Sequence, residues 1–222
     1  MTAYDQRGKE LKRVLVVLAL FVICVVQAAC THTPSSTRDD KGLSTLNATL
    51  WVEDNNTFDG EIHSSQIVPY FSFIPGSIFG SPIDDVLLPV EVDEEARIVV
   101  ELSEWAELAE TYAAPLTEEY FELGLRIQPK DARLLRVGTF AYDLRHESGM
   151  GGGLRELGES GYIVLVYVDR PSVISGSITL DDTKYTHFID LPAKGFHYVL
   201  SDDDGHVSRR DLEDRLLFVT KH

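Results

Sequence analysis

The sequence predicts an all-β domain, a β-sandwich or flattened barrel of about eleven strands with one or two short helices. Three observations carry this reading. The stretch "TLNATLWVED" sets Leu46, Ala48, Leu50 and Val52 against polar neighbours, the period-two pattern of a half-buried strand. The C-terminal third is a series of β-branched and aromatic runs, "YIVLVYV", "SVISGSITL", "KYTHFIDL" and "GFHYVLS". They are parted by "DRP", "DDT" and "PAK", all turn material. Segments with helical spacing are few.

After the first strand comes "QIVPYFSFIPGSIFGSPI", residues 66–83, crowded with aromatic side chains among Pro69, Pro75 and Pro82. Proline removes a backbone donor and is kept out of central strands, so this stretch reads as an edge strand running into a loop. A loop so apolar either folds back over the core or offers a patch to a partner. Tyr70, Phe71, Phe73 and Phe79 are therefore the candidate partner contacts. "DDVLLPVEVDEEARIVVELS" gives two strands, 86–92 and 96–102, around an acidic turn. In "SEWAELAETY", Trp105, Leu108, Ala109 and Tyr112 fall at helical spacing, with Ser103 placed to cap the helix and Pro115 to stop it. Residues 119–128 and 132–142 read as strands joined at "PKD".

Residues 146–161, "HESGMGGGLRELGESG", hold six of the sixteen glycines and read as a long loop on one domain or a linker between two. The chain beyond them is short for an independent core, which favours one domain, 44–222, over a split near 145–161. A short helical turn is expected over 208–214, and "RLLFVT" reads as the last strand.

Ahead of the domain, Arg7, Lys9, Lys12 and Arg13 precede an apolar run, 14–29, broken only by Gln27. That is the layout of a secretory signal peptide. As a helix, those residues would reach roughly 24 Å, short of a bilayer core about 30 Å thick. Ala28, Ala29 and Cys30 resemble the lipobox of bacterial lipoproteins, although Gln27 stands where an aliphatic residue is usual. The resemblance covers the first thirty residues alone. It implies cleavage before Cys30, a lipid on its thiol and anchoring through acyl chains, since more than one chain makes a durable anchor. Thr31, where an inner-membrane retention signal would usually have Asp, points to the outer membrane. Residues 30–43 then form the lipidated cysteine and a polar tether. Cys24 leaves with the signal, and a thiol-free mature chain suits an oxidising periplasm.

The whole chain carries a net charge of −16. Residues 1–29 hold four basic and two acidic side chains; without them 16 Lys and Arg stand against 34 Asp and Glu, a net of −18. Nucleic acid and anionic lipid need clustered cations, and this chain spreads acids throughout. Catalytic signatures are sparse. "GMGGGLREL" lacks the lysine of a phosphate-binding loop, and His146-Glu147 is followed by Met150 where a zinc protease has its second histidine. In "LSDDDGHVSRRD" the first position of a calcium loop falls on Leu200, so a glycine-closed acidic turn is expected. His187 and His197, if their strands form a hairpin over "PAK", share one sheet face but lack a third ligand. No metal or cofactor is expected. The reading that follows is a lipid-anchored, non-catalytic envelope module that binds or stabilises a partner protein. A periplasmic hydrolase with dispersed acids and bases, or a ligand- or cation-binding module, is the alternative.

Overall fold

The computed structural model describes residues 42–53, 67–78, 86–144, 147–180, 182–210, 212 and 216–221. All of them belong to one compact unit, Asp40–His222. Cys30, the tether up to residue 41, His146 and Phe79 lie outside the described residues.

The N-terminal elements are β1 (Thr45–Glu53), β2 (Ile67–Pro75), β3 (Leu87–Pro89), β4 (Arg97–Glu101), α1 (Leu102–Tyr112), β5 (Ala114–Pro115) and α2 (Glu118–Glu122). There follow β6 (Arg126–Gln128), β7 (Arg133–Asp143), β8 (Ser148–Glu156), β9 (Tyr162–Val168) and β10 (Ser172–Leu180). The chain closes with β11 (Thr183–Leu191), β12 (Gly195–Ser201), β13 (His206–Arg210) and β14 (Leu216–Lys221). The protein is all-β. Among the described residues fourteen strands form one sheet in the order β4-β1-β14-β8-β7-β9-β12-β13-β11-β10-β6, with β2 and β5 on β7 and β3 on β2. The ends, β4 and β6, do not pair with each other, so the sheet is not a closed barrel.

Two apolar clusters explain how one sheet makes a sandwich-like fold. The first gathers Leu46 and Leu50 of β1, Ile98 of β4, Phe71 of β2, Leu165 of β9 and Phe196 of β12. Strands from one end and from the middle of the path thus face a common core, which requires the sheet to fold over itself. Helix α1 belongs to this cluster through Leu102, Trp105 and Ala109. The second cluster takes Ile127 of β6, Ile174 of β10, Ile189 of β11 and Val207 of β13. Strands β7, β9 and β12 supply both. In β9, Ile163, Leu165 and Tyr167 enter the first cluster while Val166 and Val168 enter the second. That is why "YIVLVYV" is an unbroken apolar run whereas β1, buried on one face, alternates.

Several expectations change. Residues 119–128 are not one strand: α2 occupies the first part, Leu123 and Gly124 turn the chain, and only Arg126–Gln128 is extended. Glu118 and Glu119 sit in the first turn of α2, where carboxylates suit the helix dipole, and Gly124 takes φ 109° to end it. Ser103 does not cap α1. The helix starts two residues earlier than that cap would place it, at Leu102, with Glu101 in the cap position and no side-chain cap bond. Its other end is satisfied from β7, where Arg133 Nη2 donates to the Glu110 carbonyl at 2.7 Å and Nε to the Ala113 carbonyl at 2.8 Å.

Most of the glycine stretch, Ser148–Glu156, is not a loop, and only 157–161 turn the chain toward β9. Ser148–Glu156 is strand β8, paired with β14 over Gly152–Glu156 and with β7 over Ser148–Gly151. Gly152 must be glycine: a Cβ there would lie 2.9 Å from Phe140 Cα and 3.0 Å from Phe218 Cζ. The segment expected to be a helical turn at 208–214 begins as strand β13. Strand β13 separates β11 from β12, parallel to the first and antiparallel to the second, so "PAK" does not close a hairpin.

Candidate functional site

Strand β2 carries the aromatic stretch into the sheet. Its nine residues pair with β7, while only Tyr70–Ser72 pair with β3 on the other side. Alternation then sorts the candidate contacts by face. Phe71 and Phe73 turn inward, 0% and 2% exposed, beneath α1. Trp105 lies 5.3 Å from the Phe71 ring and 6.2 Å from that of Phe73, and Tyr112 lies 6.3 Å from Phe73. As core side chains these two are removed from any contact surface. Tyr70 points to the other face, half-buried, and stacks on Phe140 at 5.1 Å and 7°.

Phe140 stands opposite Gly151 of β8, so β7 lies between the aromatic and the glycine-rich stretches of the sequence. Gly151, Gly152, Gly153, Arg155, Tyr162 and Val219 line a shallow trough of about 180 Å³ here. Tyr162 lies across Gly153 and is 54% exposed. Arg155 Nη2 donates to the Tyr162 hydroxyl at 3.0 Å, and its guanidinium sits 4.7 Å from the ring centroid. Among the described residues nothing lies within 4 Å of a Cβ built on Gly149 or Gly151. Neither needs a left-handed backbone. Their lack of a side chain is not demanded by packing around them.

A larger groove, about 800 Å³, runs beside β6. One wall is Arg126, Ile127 and Gln128 with Lys130; the other comes from Pro115, Leu116, Glu118, Phe121 and Glu122. Strand β6 ends the sheet, paired on one side with β10 and among the described residues with nothing on the other. The cations of the groove are already engaged. Arg126 Nη1 donates to the Phe121 carbonyl at 2.6 Å, and the Lys130 ammonium lies 6.0 Å from the Phe121 ring centroid. Among the described residues the Glu118 and Glu122 carboxylates have no ion pair or hydrogen bond. Sequence reading missed this groove because it took 119–128 as one strand. The usable signal was Glu118-Glu119 after Thr117, with Gly124 to end the turn.

The two histidines do not meet. His187 is opposite Val207 of β13 and His197 opposite Val166 of β9, on strands that do not pair with each other. The His197 ring nitrogen Nε2 is 2.8 Å from the Ala193 carbonyl oxygen, a contact made within its own turn. Burial pushes the His187 imidazole down to about 4, against the pull of hydrogen bonds with the backbone of Tyr185 and Gly176. The acidic stretch is the β12–β13 turn. Asp202 Oδ1 accepts from the His206 amide at 2.7 Å, and Gly205 closes the turn at φ 77°. Among the described residues no three His, Cys, Asp or Glu side chains stand close enough to share a metal ion. In comparison with known proteins the chain matches no family model, no curated protein and no solved structure.

Proposed function

We propose that the chain is a lipid-anchored, non-catalytic module of the bacterial envelope that binds a partner protein. Cys30 carries the lipid, the following residues act as tether, and the groove between β6 and α2 receives the partner. The observation that supports this most is the groove's construction: a sheet edge without a neighbour, set against half-buried Phe121 and two carboxylates without an ion pair or hydrogen bond, all among the described residues. Exposed edges are ready templates for another chain. Attachment to the outer membrane follows from the lipobox resemblance and from Thr31 after the cysteine.

A second reading places the partner on the trough beside Tyr70, the described member of the aromatic stretch that keeps to an outer face. It is favoured by Gly149 and Gly151, which leave backbone bare where a side chain would fit.

Two measurements test the proposal together. Detergent phase partitioning should place the wild type in the detergent phase and Cys30→Ala in the aqueous phase; an aqueous wild type ends the lipoprotein reading. Photocrosslinking residues at Gln128 in the groove and at exposed Thr186 on β11, followed by identification of adducts in the native envelope, test the site. Adducts unique to Gln128 are expected. Identical adducts from both positions would remove the groove.

A further inference from the structure

We propose that the groove takes its partner as an extended, positively charged segment added to the sheet along β6. The proposal rests on the groove being the binding site and names what enters it. In an antiparallel ladder, alternate residues turn both backbone groups toward the neighbouring strand and the rest turn theirs away. Strand β6 pairs with β10 through Arg126–Ser175, Ile127–Ile174 and Gln128–Val173. The groups it does not give to β10 therefore face the groove, which all three of its residues line.

An extended segment satisfies those groups with its own backbone, while its side chains alternate between the two faces of the sheet. Phe121, half-buried on the far wall, offers apolar contact to such a segment, whereas Leu116 behind it belongs to the second cluster. Charge then selects among segments. Arg126 and Lys130 turn to a carbonyl and a ring and keep their charge, so the groove itself is balanced. Its Glu118 and Glu122 carboxylates have no ion pair or hydrogen bond among the described residues, and the preference for cations comes from the chain as a whole. The chain as a whole, at −16, repels acidic partners. Pro129 follows the edge directly and has no N–H to give, so the added strand is held to a short register. A short edge also resists indiscriminate pairing, which suits a site that must admit one segment and not aggregate.

The test uses the full chain in detergent micelles and a fluorescein-labelled peptide of alternating Lys and Val, read by anisotropy. Three controls accompany it: the same peptide N-methylated at alternate amides, an alternating Glu–Val peptide, and the double variant Glu118→Gln/Glu122→Gln. The Lys–Val peptide should bind and slow amide exchange within Arg126–Gln128. N-methylation removes backbone donors and should weaken it about tenfold or more, as expected for two net hydrogen bonds. The double variant should bind several-fold more weakly with an unchanged melting temperature, and the Glu–Val peptide should not bind. Absence of Lys–Val binding overturns the proposal, as does equal binding of the N-methylated peptide or exchange protection elsewhere. Envelope adducts at Gln128 that persist despite such a result would leave the groove as the site and sink only strand addition.

Discussion

His187 is a buried titratable side chain whose shift bears on stability in the acid range. It is 2% exposed and stands in β11 opposite Gly176 and Val207. Its imidazole is held at about 4 by burial, below the usual 6.5. Between those values the unfolded chain binds a proton that the folded chain refuses, so folded stability is complete above about pH 6.5 and falls as pH drops through 4. A depression of this size corresponds to on the order of 3 kcal/mol at most. Urea unfolding midpoints taken from pH 7 to 4.5 should therefore drop more steeply for the wild type than for His187→Phe, whose core position no longer titrates. Carboxylates titrate in both proteins and cancel in the comparison. Parallel pH profiles would mean that the imidazole is protonated in the folded state without penalty.

At the scale of elements, glycine tells two stories within one strand. Gly152 has no room for a Cβ against Phe140 and Phe218, and Gly152→Ala should destabilise by roughly 1–3 kcal/mol, the usual cost of overpacking. At Gly151 nothing among the described residues is near, and Gly151→Thr should stabilise by about 0.5–1 kcal/mol, because glycine in a strand interior costs about that much. Thermal melts of the two variants check both signs. If the trough binds a partner, the stabilised Gly151→Thr protein should also lose its envelope adducts; retained adducts leave the trough without a role. This strand shows where sequence reading stops. Strands β1, β9, β10 and β12 were legible because burial leaves its own period, two for one buried face and a continuous run for two. Strand β8 was not, since glycine has no side chain to carry a period, and its place depends on Phe140 and Phe218 from distant segments. Strand β5 was missed for its length of two residues and β13 because "HVSRR" carries a single apolar side chain, and with β13 went the register that would have kept His187 and His197 apart. Among the candidate contacts, aromatic content was visible but face was not. Only pairing with β7 turns Tyr70 outward and buries Phe71 and Phe73.

Across the whole molecule, the two clusters are joined by strands common to both, and this has a measurable effect on how the protein unfolds. A core lined by β10, β11, β13 and β6 closes against the second face of β7, β9 and β12, against α2 and against Ile78, Leu116 and Leu125 of the connecting segments. Loss of that core would expose Val166, Val168 and Val199, whose strands also hold Leu165, Tyr167 and Phe196 in the first cluster. The clusters should therefore unfold together, as expected of one cooperative domain. The chain has two tryptophans, Trp51 in β1 and Trp105 in α1. Trp105 packs against the first cluster, so its fluorescence follows that core and not the second. Ile174 is 0% exposed in the second cluster, and Ile174→Ala should cost about 2–5 kcal/mol. If the shared strands couple the cores, the tryptophan-detected urea midpoint must fall with this distant substitution by the amount that circular dichroism reports. A tryptophan transition left at its wild-type midpoint, with amides of β10 and β11 exchanging early, would instead show two cores that open independently.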